Sequence, residues 1–285
     1  MMKFTHSTAD IFVPDQCAEL EALSRTSHLA IGAHQDDLEF MALHGILECY
    51  QRSDRWFTGV TVTDGRGSSR ILEYAGYTDD QMQAVRRQEQ RKAAFVGEYA
   101  AAIQLDFPSS AVKSAQSRPV IDDLKQILVA TRPKTLYTHN LADKHDTHIG
   151  VAMGVIEALR ELPEDQHPAK FYGCEVWRSL DWMADEDKVL LDASSRENLS
   201  RSLMGIFDSQ ISGGKRYDLA TLGRKRANAT YLASHHSDNA RLLEYVMDLG
   251  PLLRDLRLDP VDFVEGHLDR FKADVASRIR KRVPR

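Results

Sequence analysis

The spacing of apolar and polar residues predicts strands and helices that alternate along the chain. Short runs rich in apolar and β-branched residues predict strands, and stretches with helical spacing lie between them. Thr78, followed by two aspartates, is typical of the start of a long helix. The predicted strands are 28–33, 56–63, 102–105, 134–138 and 171–177, and the predicted helices are 17–24, 38–50, 78–99, 120–130 and 149–159, with long helical stretches after 177.

This alternation predicts an α/β fold with a mostly parallel β-sheet and helices on both faces. Right-handed crossovers would bring the carboxyl ends of the strands to one edge, where such folds bind ligands. We expect residues 1–233 to form this α/β domain and residues 234–285 to form a C-terminal helical extension packed on it. The stretch from Leu242 to Arg280 is amphipathic and predicts packing against the sheet or a partner subunit.

Composition narrows the class of protein. The 285 residues are 42% hydrophobic and 28% charged, as in a globular protein, and the net charge of −5 argues against a nucleic-acid partner. No stretch is apolar enough to span a membrane, and the first residues lack the apolar core of a signal peptide. The three cysteines, Cys17, Cys49 and Cys174, form no CxxC pair. We therefore expect a cytoplasmic protein without a membrane or nucleic-acid partner, and assembly into a homo-oligomer stays open.

Two polar clusters follow predicted strands and open predicted helices. The first is HQDDLE at 34–39, after the strand 28–33, and the second is DKHDTH at 143–148, after the strand 134–138. Because both follow strands of a parallel sheet, we expect them to meet at the same edge.

Imidazole and carboxylate are the usual zinc ligands where no thiolate is near. His34 and Asp37 are three residues apart at a loop-to-helix junction, and His148 is a candidate third ligand. Asp36 and His145 then remain beside the metal, as a candidate general base and a second imidazole for an oxyanion or a leaving amine. His139 is a candidate for orienting a ligand, or for a structural hydrogen bond.

Each cluster alone also has a purely structural interpretation. Paired aspartates often cap helices, and histidines often serve in packing. Two such clusters, each at a predicted strand-to-helix turn, together favour a metal site.

The clusters resemble motifs of one known family. HQDDLE at 34–39 resembles the HPDDxE signature of the PIG-L (LmbE-like) zinc-dependent N-deacetylases, and DKHDTH at 143–148 resembles their second motif, DxHxDH. The resemblance implies a Rossmann-like fold, one Zn²⁺ ion and removal of an acetyl group from an N-acetylated amino sugar or a related small molecule. Another divalent metal is also compatible with the same ligand types.

The resemblance also implies roles for individual residues. His34, Asp37 and His148 would be the zinc ligands, Asp36 the general base and His145 the second catalytic imidazole. The glycine-bearing loop after the second strand would place Asp64 and Arg66 against the substrate. Asp143 and His139 would support the ligands from behind. The later helix, with Arg87, Glu89 and Gly97, resembles a structural helix of the family.

The chain departs from the family pattern at two positions. Gln35 replaces the usual proline, which either loosens the turn or adds a hydrogen bond, and Thr147 replaces the aspartate of the second motif. Neither change removes a proposed ligand. Two alternatives remain: a metal-dependent hydratase, lyase or other amidohydrolase on the same scaffold, and a sugar- or nucleotide-binding protein without turnover.

Overall fold

A computed structural model describes residues 2–114 and 117–284, in which eight strands form one sheet flanked by helices. The strands are β1 (Asp10–Phe12), β2 (His28–Gly32), β3 (Phe57–Thr63), β4 (Ala101–Phe107), β5 (Thr135–His139), β6 (Lys170–Cys174), β7 (Lys188–Asp192) and β8 (Leu243–Asp248). The helices are α1 (Glu19–Ser24), α2 (Asp37–Met41), α3 (Leu43–Cys49), α4 (Asp79–Val96), α5 (Ser109–Lys113), α6 (Arg118–Thr131), α7 (Asp146–Arg160), α8 (Glu197–Met204), α9 (Asp208–Ile211), α10 (Tyr217–Tyr231), α11 (Pro251–Arg254) and α12 (Pro260–Arg280).

The strand order of the sheet is β1-β4-β3-β2-β5-β6-β8-β7. The five strands from β4 to β6 pair in parallel, whereas β1 and β8 run antiparallel to their neighbours. The chain runs outward from β2 through β3 to β4, and then returns to start again at β5 on the other side. The strand order therefore reverses between β2 and β5, which is the switch point where Rossmann-like folds bind ligands.

Side chains of each central strand alternate between two hydrophobic cores. In β2, Leu29 and Ile31 belong to the core that includes α6 and α7, and Ala30 belongs to the core that includes α2 and α3. Helices thus cover both faces of the sheet, and the predicted fold class is confirmed.

The local predictions hold best where the pattern is strongest. Thr78 caps α4 in a capping box with Gln81, as its sequence context indicates. The helix predicted at 38–50 is instead divided into α2 and α3, because the backbone at Ala42 leaves helical geometry (φ −121°).

The segment after Ser234, which the sequence predicts to be a helical extension, contains a strand as well as helices. It contributes β8, which lies between β6 and β7, and the sequence pattern missed β1, β7 and β8 altogether. Tertiary pairing decides these short strands, since Leu, Glu and Met in β8 are good helix formers. On α10, Lys225 is buried in an ion pair with Glu244 of β8 and donates to the Phe40 carbonyl at 2.8 Å. The segment is therefore built into the sheet, and the boundary at 233/234 stays a prediction.

Among the described residues, no helix combines the length and the apolar character needed to cross a membrane. The three cysteines are free thiols, as their spacing predicts.

Candidate metal centre

The two polar clusters meet at the switch point of the sheet. The loop after β2 carries His34 to Asp36 and leads into α2, and the loop after β5 leads into α7. Gly32 allows α2 to lie close to the end of β2, because a Cβ atom there would be 3.0 Å from the Cβ of Asp37. Adjacent strand ends thus bring together side chains that are more than 100 positions apart in sequence.

Three candidate ligand atoms form a compact triangle. The Nδ1 atom of His34 lies 3.2 Å from Oδ2 of Asp37 and 3.2 Å from Nε2 of His148. The third side, from Nε2 of His148 to Oδ2 of Asp37, is 3.4 Å. Ligand atoms about 2.0–2.1 Å from a tetrahedral zinc ion are separated from each other by roughly 3.3 Å. The triangle therefore has the dimensions of three ligands around one zinc ion.

Asp143 orients His148 from behind. Its Oδ2 atom lies 3.3 Å from Nδ1 of His148, which is fully buried, so that Nδ1 is the protonated nitrogen and Nε2 presents its lone pair to His34 and Asp37. The backbone amides of Lys144 and His145 donate to Oδ1 of the same carboxylate, at 2.6 and 3.3 Å. Asp143 thus holds both the loop and the ring.

His139 lies behind the triangle, stacked on His148 with ring centroids 3.8 Å apart and planes inclined by 14°. The amide of Ala33 donates to its Nε2 atom at 2.9 Å. That hydrogen bond uses the lone pair with which Nε2 would bind a metal, although the atom lies only 3.4 Å from Oδ2 of Asp37. His139 is therefore placed to pack against the candidate metal ligand His148 and not to bind the metal itself.

The electrostatics of the cluster favour a positive charge at its centre. Burial would lower the pKa of His148, but the carboxylates of Asp37 and Asp143 together raise it. Burial lowers the pKa of His34 and of His139 to about 4, which leaves both rings neutral at pH 7. Burial would also raise the pKa of Asp37, yet the neighbouring imidazoles hold it well below its usual range. Neutral imidazoles beside an ionised carboxylate are the donor forms that zinc requires.

Asp36 sits in the same loop with a strained backbone. Its φ of 104° lies in the region that favours glycine. Two residues of α4 hold the loop in this conformation. Arg86 donates to the Gln35 carbonyl at 2.6 Å, and Gln90 accepts from the Asp36 amide at 3.4 Å. The guanidinium of Arg86 is 3.7 Å from the Asp36 carboxylate. Burial raises the pKa of Asp36 well above its usual range, although Arg86 opposes this.

His145 completes the group on the open side. Its ring centroid is 5.1 Å from that of His34 and 4.6 Å from that of His148, and the donor atoms of these three histidines lie within 4.8 Å of one another. Within the described part of the chain, its buried Nδ1 atom has no hydrogen-bond partner. The ring therefore keeps polar capacity for a bound molecule or a metal.

A cavity of about 660 Å³ opens above this cluster. His34, Asp36, Asp37 and His145 belong to its lining, and His148 lies buried beneath. The lining also includes aromatic and basic side chains: Phe40, Trp177, Tyr217, Arg86, Lys113, Lys215, Arg216 and Arg224. Small-molecule sites commonly have this size and this mixture of apolar walls and a few polar groups.

Asp64 and Arg66 are not among the residues that line this cavity. The guanidinium of Arg66 is ion-paired with Asp80 and bonded to Gln83 at 2.7 Å, while Asp64 accepts from the Arg66 amide at 3.1 Å. These contacts hold the loop against α4. Gly65 and Gly67, on either side of Arg66, do line the cavity, and the substrate contacts of Asp64 and Arg66 stay a prediction.

Sequence reasoning missed Arg86. It is 4% exposed, lines the cavity and bonds the Asp36 loop, whereas Arg87 in the adjacent position pairs with Asp106 on the other side. Glu89 accepts from the amide and hydroxyl of Ser209 at 2.8 and 2.6 Å. The available signal was the Arg-x-x-Glu spacing 86–89, which puts both residues on one face of α4.

Gln35, in the place of the usual proline, adds hydrogen bonds. Its Nε2 atom donates to the Thr63 carbonyl at 3.3 Å and to Oε1 of Gln104 at 3.2 Å. The loop is thus fastened to β3 and β4 through a side chain instead of being stiffened by a ring.

Fold and site together define a Rossmann-like protein with a His/Asp metal centre at the switch point. Residues 29–159 match the PIG-L family, described as GlcNAc-PI de-N-acetylase, and this part of the chain is a PIG-L family domain. The family resemblance of the two motifs is confirmed over residues 29–159, and this match supports a metal-dependent deacetylase, which is an amide hydrolase.

Solved structures share the fold at low sequence identity. N,N'-diacetylchitobiose deacetylase from Pyrococcus horikoshii is 15% identical, with a TM-score of 0.62 over 85% of this chain and 91% of that one. The 4-carboxy-2-hydroxymuconate hydratase from Pseudomonas putida is 17% identical, with a TM-score of 0.60 over 79% and 96%. A zinc-inhibited form of teicoplanin deacetylase is 15% identical, with a TM-score of 0.54 over 78% and 97%. No curated protein matches the chain in sequence.

Proposed function

We propose that this protein removes the acetyl group from an N-acetylated amino sugar or a related conjugate, with one zinc ion held by His34, Asp37 and His148. The observation that carries this proposal is the triangle of donor atoms, with sides of 3.2, 3.2 and 3.4 Å, at the floor of an open cavity. Three protein ligands and an open side are what distinguishes a catalytic zinc site from a structural one.

A bound zinc ion would supply Lewis-acid polarisation of the amide carbonyl and a more acidic water. In this proposal the Asp36 carboxylate accepts the proton of the attacking water as the new C–O bond forms. The C–N bond then breaks, and the leaving amine takes the proton that Asp36 has accepted, either directly or relayed through the His145 imidazole. Acetate and a free amine are the products.

Arg86 has a positioning role in this scheme. Its bond to the Gln35 carbonyl and its 3.7 Å approach to Asp36 hold the base over the triangle. Asp143 and His139 fix the ring plane of His148 in the same way from the buried side. These contacts leave the Asp36 carboxylate little freedom, which favours a fixed geometry for proton transfer.

The proposal is tested by measuring both products, acetate and free amine, at a known zinc content. The zinc-loaded chain, offered N-acetylglucosamine and its phosphates, is expected to release acetate and free amine in equal amounts. Treatment with a chelator should abolish the release, and zinc at one ion per chain should restore it. Acetate-free turnover of a different substrate class, such as hydration of a double bond, would contradict the proposal and favour the hydratase alternative.

The basic wall of the cavity points to the rest of the substrate. Lys113, Lys215 and Arg224 have no ion-pair partner among the residues that the structure describes. Lys215 Nζ lies 5.0 Å from the ring centroid of Trp177, and Arg224 donates to the carbonyl of Val176. Uncompensated cations facing a small-molecule site attract an anionic group. We therefore extend the proposal to a substrate with a phosphate or carboxylate beside the Trp177 face, away from the acetamide.

Removing the positive charges of Lys215 and Arg224 should weaken binding of anionic substrates and leave binding of neutral substrates unchanged. For Lys215→Met and Arg224→Met, each made alone, we expect KM for N-acetylglucosamine 1-phosphate to rise about 10- to 100-fold, since a charge-assisted hydrogen bond contributes roughly 1.5–3 kcal/mol. KM for N-acetylglucosamine itself should stay unchanged, as measured by acetate release.

The matched control is Arg257→Met, which removes the same charge from a side chain that is 94% exposed and outside the cavity. Equal KM values for both sugars in all variants would contradict the anionic site and leave the deacetylase proposal intact. Release of acetate from neither sugar would count against the deacetylase proposal itself.

A further inference from the structure

The C-terminal helix α12 exposes an apolar stripe. Of its 21 residues only His267 is buried, and the large apolar side chains along one flank are between 38% and 63% exposed. These residues are Val261, Leu268, Phe271, Val275 and Ile279. A helix gains most of its stability by burying an apolar face, so this stripe lacks the contact that would stabilise it.

The spacing of the stripe is that of a helix–helix seam. Leu268 follows Val261 by seven residues, and Phe271, Val275 and Ile279 follow at intervals of three, four and four. Val261, Leu268, Phe271 and Val275 thus have the spacing of a and d positions in a coiled coil, and Ile279 continues the stripe at an e position. Contact with the rest of the chain runs through Phe263, which packs against the hydrophobic core, and through His267 and Arg270, both bonded to Asp187. These three residues lie on another flank of the helix than the stripe.

Charges along α12 are segregated by sign. The first half carries acidic residues and no lysine or arginine, and the second half is mostly basic. The acidic residues from 259 to 269 are Asp259, Asp262, Glu265 and Asp269, and the basic residues from 270 to 282 are Arg270, Lys272, Arg278, Arg280, Lys281 and Arg282, with one acid, Asp274. A second α12 laid antiparallel puts each acidic half against a basic half, whereas a parallel copy opposes like charges.

We infer that α12 is a self-association surface on which the α12 helix of a second copy of this chain docks antiparallel. The apolar stripe forms the seam, and the segregated charges set the direction. With Leu268 at position a and Phe271 at position d, Glu265 and Lys272 occupy e positions, which pair with each other between antiparallel helices. The inference does not depend on the chemistry of the metal centre.

The first test removes the seam and keeps the helix. The full chain is expected to be dimeric by light scattering at micromolar concentration. Leu268→Gln combined with Val275→Gln should raise the dissociation constant about tenfold or more, because each buried aliphatic side chain contributes roughly 1.5–3 kcal/mol. The control is Leu20→Gln, which changes another exposed leucine (64%), on α1, and should leave the dimer intact.

The second test addresses direction. Glu265→Lys or Lys272→Glu alone should weaken the dimer, and the double exchange should restore it, while circular dichroism reports that each variant is folded. A dimer equally strong in all these variants would overturn the proposal, as would a chain that is still monomeric at about 100 µM. A monomer that sediments with phosphatidylserine vesicles would also overturn it and assign the helix to a membrane surface.

Discussion

Replacing His148 with alanine is expected to remove the metal and essentially all acetate release together. Its Nε2 atom supplies one corner of the ligand triangle, and its Nδ1 atom is already held by Asp143 at 3.3 Å. His139 is not placed to substitute, because its Nε2 atom already accepts from the Ala33 amide. Elemental analysis of the purified variant should find far less than one zinc per chain.

A control separates loss of a ligand from loss of packing. His44→Ala removes a half-buried histidine whose Nδ1 atom lies 3.1 Å from the hydroxyl of Tyr137, outside the metal centre, and should keep both zinc and turnover. Asp143→Asn should give the intermediate result, with metal affinity lowered roughly 10–100-fold as for other groups that orient a ligand. A His148→Ala protein that keeps one zinc per chain would show that the ligand set is different.

Asp36→Asn is expected to lower kcat by about 10²–10⁴-fold while the zinc content stays at one per chain. The amide has nearly the shape of the carboxylate but is not a useful base. Asparagine also tolerates the positive φ of 104° at this position, so the loop should keep its conformation, which alanine would not guarantee. Steady-state acetate release and elemental analysis on the same preparation measure both quantities.

Asp106→Asn is the matched control for this variant. Asp106 also has a positive φ, 66°, and also faces an arginine, with Arg87 at 3.1 Å, but it lies outside the cavity. Its variant should retain turnover. Loss of zinc from Asp36→Asn would make Asp36 a ligand and not the base, and unchanged kcat would exclude it from proton transfer.

Two features of this site follow from the local sequence alone. The strand-to-helix turns at 34–37 and 143–148 concentrate imidazole and carboxylate, and the parallel sheet requires successive turns to lie along one edge. What local pattern could not supply is which residues from other elements reach the site. Arg86 comes from α4, and its neighbour Arg87 points elsewhere, a difference set by packing against the Asp36 loop.

Long-range contacts also decided the end of the chain. The pattern of β8 is compatible with a helix, and it becomes a strand because β6 and β7 offer hydrogen-bonding partners on both sides and because Glu244 pairs with the buried Lys225.

By itself, the sequence determined the five parallel strands β2 to β6, the approximate positions of the helices between them, and the two donor-rich turns that carry the family resemblance. These follow from periodicity and residue chemistry within short windows. Only the tertiary structure decided that His148 points its free nitrogen at His34 and Asp37 while His139 lies behind. It also decided that Arg86 and not Arg66 faces the cavity. The reason is that hydrogen-bond partners and burial depend on residues distant in sequence, which no local pattern encodes.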